Sequence, residues 1–169
     1  MVRPARLVGP RVEAEGTLYL PGVGTNHSLR LSGFVAKSYG ATYTAAFTMP
    51  VRGLMYNFPA KELQATVGWS VAADYTLPLG YPDWSLPGWL YVQRVYSNLA
   101  FAYTSYRPVK GEMQRKRAFY IDLISDLHLF RFSLGLSVGM SLGYSPWGDR
   151  LGPRPWGPWS LNGIFNLKL

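Results

Sequence analysis

The chain has 169 residues, of which 48% are hydrophobic and 15% charged, with no cysteine and a formal net charge of +8. The length allows one domain, and the absence of cysteine excludes disulfides, cysteine-ligated metals and thiol catalysis. No run of about 18 apolar residues occurs, which excludes a transmembrane helix. The charged fraction is below the roughly 25% of soluble domains, and Tyr and Trp are abundant, as is typical of a membrane β-barrel with aromatic girdles.

Residues 1–10 are predicted to be an irregular lead-in, since Pro4 and Pro10 interrupt them. They also lack the apolar core of roughly 7–15 residues that a secretion signal needs. Residues 11–20 and 27–38 alternate apolar and polar side chains on either side of a glycine-rich turn. These two segments predict a β-hairpin, with Arg30 on its polar side.

Residues 39–61 break the alternation and contain several glycines and prolines. The segment is too long for an ordinary hairpin loop, and loops of this length are usually functional.

Alternation returns in five further segments, 62–79, 88–105, 115–129, 131–144 and 159–169. Three carboxylates, Asp74, Asp122 and Asp126, fall on the polar side of their segments. The sequence therefore predicts an all-β protein, an antiparallel meander of about seven long strands that forms part of a transmembrane β-barrel.

The segment 131–144 alternates most strictly, because every second residue is large and apolar and the residues between are Ser or Gly. It is roughly twice the usual strand length of about 5–6 residues, whereas a transmembrane strand needs about 9–11. We therefore predict that the apolar set faces lipid: Phe132, Leu134, Leu136, Val138, Met140 and Leu142. The alternative is a long strand of a soluble barrel, with the same residues inside.

The order of these segments resembles the C-terminal half of the sixteen-stranded barrel of the bacterial surface antigen superfamily. Pro50, Val51, Arg52, Gly53 and Leu54 look like the Arg-Gly-aromatic motif of the loop that folds into the barrel lumen in that family. Five strands then follow the loop, as they do in the family. The chain departs from the family pattern at Leu54, where Phe or Tyr is usual, and at Leu169, where Phe or Trp is usual.

The resemblance implies that residues 1–169 are a single C-terminal barrel segment in the bacterial outer membrane, with a role in protein insertion or translocation. Its implied partners are outer-membrane lipid, an N-terminal half of the barrel, and client outer-membrane or secreted proteins. Arg52 and Gly53 would form the loop motif, with Arg52 clamped to Asp74, Asp122 or Asp126.

An odd count of about seven strands cannot close a bacterial single-chain barrel, because such barrels have an even number of strands. We therefore expect two free edges, at 11–20 and at 159–169. They would pair with strands of an N-terminal half or with a second copy of this chain.

Two other functions stay open on the sequence. One is a porin-like channel or structural barrel, and the other is a barrel hydrolase that uses His128 with Asp126. No partnered nucleophile accompanies His128, so we predict that the protein is not an enzyme and has no catalytic residues, metal or cofactor. The net positive charge could indicate nucleic acid or anionic lipid as a partner. The basic residues are scattered, and basic loops near lipid headgroups explain them as well, so we predict no nucleic-acid partner.

Overall fold

The computed structural model describes residues 2–7, 11–39, 47–48, 64–86, 89–109, 111–129, 135–146 and 158–168. The regular structure of these residues is a single β-sheet. Its strands are β1 (Val2–Leu7), β2 (Arg11–Pro21), β3 (Ser28–Ser38), β4 (Phe47–Thr48), β5 (Gln64–Gly80), β6 (Trp84–Leu86), β7 (Leu90–Pro108), β8 (Gln114–Leu129), β9 (Gly135–Tyr144) and β10 (Trp159–Lys168). None of the described segments is a helix with the length and apolarity needed to span a membrane.

Eight strands form a meander in the order β1-β2-β3-β5-β7-β8-β9-β10, and each is antiparallel to its neighbours. The two short strands lie off this path, β4 beside β5 and β6 beside β7. The predicted all-β antiparallel meander is confirmed, but its path has eight strands rather than about seven, so the argument from an odd strand count was wrong. Within the described residues β1 pairs only with β2 and β10 only with β9, so the sheet is not closed into a barrel.

Strand β1 corrects the prediction of an irregular lead-in over residues 1–10. Its pairing with β2 shifts register between Arg3 and Arg6, so Pro4 lies within an irregularity of the ladder. A proline lacks the N–H that a regular ladder requires, and β-sheets accept it at edge strands and bulges. Pro4 therefore does not prevent a strand here, and the free edge predicted at 11–20 is covered by β1.

The register fixes which side chains share a face of the sheet. Asp122 of β8 lies opposite Asn98 of β7 and Ser141 of β9, while the next residue, Leu123, lies opposite Ser97 and Met140. We call the face with Asp122 the polar face and the opposite face the apolar face.

A small apolar cluster lies near one end of the polar face. Phe47 of β4 contacts it, with its ring centroid 6.0 Å from that of Phe34. Ala65 joins the cluster because a bulge between Ala65 and Val67 changes the side to which β5 side chains point. The buried members are Ala36, Phe47, Ala65, Ala102, Tyr106, Ala118 and Tyr120.

Gly139 on β9 gives a test of this register. A methyl group there would overlap the carbonyl oxygen of Leu123 and lie 3.0 Å from Cα of Ile124, whereas a methyl group on Gly163 of β10 would meet no atom within 4 Å. We expect Gly139→Ala to lower the free energy of unfolding by about 1–2 kcal/mol, since overpacking outweighs the conformational gain over glycine. Gly163→Ala should leave it unchanged or slightly raised. Urea titration of both variants checks this, and equal effects would contradict the register between β8 and β9.

Candidate functional site

The middle of the polar face is buried although it carries ionisable groups. The exposed fractions of Asp74, Asp122 and Asp126 are 4%, 4% and 5%, and Ser137 and Ser141 beside them on β9 are buried too. Soluble proteins almost never bury such carboxylates unless they are paired. The partners of these carboxylates define the candidate site.

Asp74 of β5 is paired with Arg30, which lies directly opposite it on β3. The Arg30 guanidinium donates two hydrogen bonds to Oδ2 of Asp74, from Nε at 3.0 Å and from Nη2 at 2.6 Å. Polar contacts continue two residues further along β5, where the Thr76 hydroxyl donates a hydrogen bond to Oδ1 of Asn98 on β7 at 2.8 Å.

Asp126 joins three strands. Arg94 of β7 donates from Nε to Oδ2 of Asp126 at 2.6 Å, and the Ser137 hydroxyl of β9 donates to Oδ1 at 2.5 Å. Charge-assisted bonds of this kind are about twice as strong as neutral ones, so the group ties β7, β8 and β9 together.

An open pocket of about 430 Å³ lies on this face, lined by residues of β2, β3, β5 and β7. Two arginines and one carboxylate line it together with hydroxyl and amide groups. Such a wall can hold water or small polar solutes. Among the lining residues are Tyr19, Arg30, Asp74, Thr76, Arg94 and Asn98.

The three acids predicted to face the lumen thus share the polar face. Arg52 and Gly53 lie outside the described residues, so the clamp stays a prediction. The sequence placed Arg30 on the polar side of its strand, but it identified neither Arg30 nor Arg94 as a partner of Asp74 or Asp126. The missing signal was the register, because each arginine is directly opposite its acid.

The predicted lipid-facing set lies on the apolar face where it is described. Val138, Met140 and Leu142 are exposed, and Leu136 points the same way but is buried, with Leu127 and Leu167 as its register partners. Phe132 and Leu134 lie outside the described residues.

His128 lies at the end of β8, and its described contacts are with Gln93 and Tyr91. Its Nε2 is 3.3 Å from Oε1 of Gln93, and its ring centroid is 6.0 Å from that of Tyr91. No described hydrogen bond joins His128 to Asp126, so the geometry gives no support to an acid–base pair.

Aromatic residues form a row across the apolar face. Phe101, Phe119, Tyr144 and Trp159 occupy register-paired positions on β7, β8, β9 and β10. Ring centroids are 4.9 Å apart for Phe101 and Phe119 and 4.8 Å apart for Tyr144 and Trp159. The four residues thus lie side by side on adjacent strands of the apolar face.

The opposite end of this face carries an exposed tryptophan, Trp84. Trp84 pairs with Val92, which in turn pairs with Leu127 of β8. Phe119 to Leu127 is eight steps along β8, about 26 Å at roughly 3.3 Å per residue.

Comparisons with family models, curated proteins and solved structures find no match to this chain. The resemblance to the surface antigen superfamily therefore stays a prediction from sequence motifs.

Proposed function

We propose that this chain forms part of a transmembrane β-barrel, with its apolar face against lipid and its polar face lining the lumen. One observation carries the proposal, the inverted burial of the two faces. On β8, Ile121 is 53% exposed and the adjacent Asp122 is 4% exposed. A soluble sheet buries its apolar face, whereas a membrane barrel places that face in hydrocarbon and keeps its interior polar.

The open edges fit the same proposal. A strand edge in hydrocarbon leaves backbone N–H and C=O groups unpaired, at several kcal/mol each. In the working protein, β1 and β10 would therefore pair with other barrel strands. We propose that these strands come from an N-terminal half of the barrel, and a dimer formed by this chain alone would show instead that a second copy closes it.

Within such a barrel we propose protein insertion or translocation at the bacterial outer membrane as the activity. The proposal rests on the loop motif around Arg52. A porin-like channel is the second candidate, and the polar pocket favours it. Ion conductance by the complete barrel in planar bilayers, unchanged by Arg52→Ala and by added client protein, would favour the channel.

Adjacent residues on β9 provide the test of the membrane proposal. Met140 is 57% exposed on the apolar face and Ser141 is 4% exposed on the polar face. The chain has no cysteine, so Met140→Cys and Ser141→Cys each carry one unique label site. We expect a fluorophore at residue 140 to be quenched by nitroxide lipids and one at residue 141 by aqueous iodide only, in phosphatidylcholine vesicles. Quenching of both by iodide alone would overturn the proposal.

A further inference from the structure

Three strands of the apolar face change from apolar to cationic residues toward the same end, where β7 connects to β8. On β3, Val35 is followed on that face by Lys37. On β8, Phe119 is preceded on that face by Arg117 and then Arg115, while Arg107 lies beyond Tyr103 on β7. We call Lys37, Arg107, Arg115 and Arg117 the cation belt.

The belt is exposed, and in the described part of the chain none of its four members forms an ion pair with a carboxylate. Two of them lie over tyrosine rings instead. Nζ of Lys37 is 5.0 Å from the ring centroid of Tyr39, and Cζ of Arg117 is 5.8 Å from that of Tyr103. The arginines Arg30 and Arg94 on the polar face, in contrast, both bind aspartates.

The sequence run Arg115, Lys116, Arg117 is divided between the faces. Lys116 points to the polar face and is buried, whereas its two neighbours are exposed on the apolar face. The belt is therefore aligned with the apolar face and its aromatic residues, including Trp69, whose ring centroid is 5.2 Å from that of Tyr103. Basic and aromatic side chains at the border of an apolar surface are typical of residues at the level of lipid headgroups.

We propose that the cation belt binds phosphate groups of anionic lipids in the membrane leaflet at the β7–β8 end of the sheet. The inference rests on the proposed function, because it places the apolar face in lipid. Nucleic acid fits the belt less well, because Val35, Tyr103 and Phe119 continue directly from it as an apolar surface. Each cation near an anionic membrane surface contributes about fivefold to binding.

The test compares partition of the full chain into vesicles of phosphatidylcholine with and without phosphatidylglycerol. The preference is the ratio of the two partition coefficients, and the triple variant R107Q/R115Q/R117Q should reduce it roughly 100-fold. Lys116→Gln, which removes one charge from the opposite face, should lose less than about twofold, and R107K/R115K/R117K should keep most of the preference. Circular dichroism verifies that each variant retains its β-sheet.

Four results would overturn the inference, and the first three concern lipid binding. One is an unchanged preference for anionic vesicles in the triple variant. Another is a loss of that preference after Lys116→Gln as large as the loss expected for one belt arginine. A third is inhibition of vesicle binding by inorganic phosphate that exceeds inhibition by chloride at equal ionic strength. Belt-dependent binding of single-stranded DNA without lipid would also overturn it, in favour of a nucleic-acid surface. The fluorophore at residue 140 in neutral vesicles distinguishes failure of this inference from failure of the proposed function. Its quenching by nitroxide lipids tests whether the apolar face enters the membrane and does not depend on the belt.

Discussion

Arginine at Phe165 is expected to lower the free energy of unfolding from a bilayer by about 2 kcal/mol, because a cation on a barrel's lipid face costs about 2–4 kcal/mol at the bilayer midplane and less toward the interfaces. Phe165 is 74% exposed on the apolar face of β10 and lies opposite Val138 of β9. In a soluble sheet the same change at so exposed a position would shift stability by no more than about 0.5 kcal/mol.

Asn166, the next residue, is the matched control. It is also exposed but points to the polar face, opposite Ser137. Asn166→Arg should cost less than about 1 kcal/mol, because the new cation faces the lumen. Urea titrations of folding into phosphatidylcholine vesicles measure both costs. Equal costs, or a larger cost at residue 166, would mean that the lipid-facing side has been assigned wrongly.

Replacement of Arg94 by Met is expected to lower the free energy of unfolding by about 3 kcal/mol, and Asp126→Asn by only about 1 kcal/mol. The exposed fractions of the two side chains are 47% and 7%. Arg94→Met leaves the Asp126 carboxylate buried without its arginine. Asp126→Asn leaves Arg94 without its carboxylate, but the half-exposed guanidinium can be hydrated instead.

The double variant R94M/D126N should lose less than the sum of the two single variants, by at least about 1 kcal/mol, because both remove one interaction. Urea titration of the four proteins completes this double-mutant cycle. Additive losses, or a larger loss for Asp126→Asn, would show that the pair does not stabilise the polar face.

The sequence predicted the strands and their faces well, because a period of two fixes the side to which each side chain points from local backbone geometry alone. It could not predict which polar residues pair across strands. Arg30 and Asp74 are 44 residues apart, and Arg94 and Asp126 are 32 apart. Their proximity depends on long-range register and on bulges, such as the one between Val92 and Arg94.

Strand β1 was missed for a different reason. Two prolines within residues 1–10 are a strong local signal against a strand. The ladder accommodates Pro4 because β1 is an edge strand whose register with β2 shifts at that point. Both conditions depend on the pairing with β2 and cannot be seen in residues 1–10 alone.

A cysteine scan along β8 tests most directly whether this sheet separates lipid from a polar lumen. Each residue from Arg117 to Leu127 is changed in turn to cysteine, labelled with a fluorophore and measured in phosphatidylcholine vesicles. Quenching by nitroxide lipids should alternate with a period of two, with maxima at Phe119, Ile121 and Leu123, and quenching by aqueous iodide should alternate in the opposite phase. Lipid quenching with maxima at Tyr120, Asp122 and Ile124, or iodide quenching at every position, would contradict a lipid-facing apolar surface.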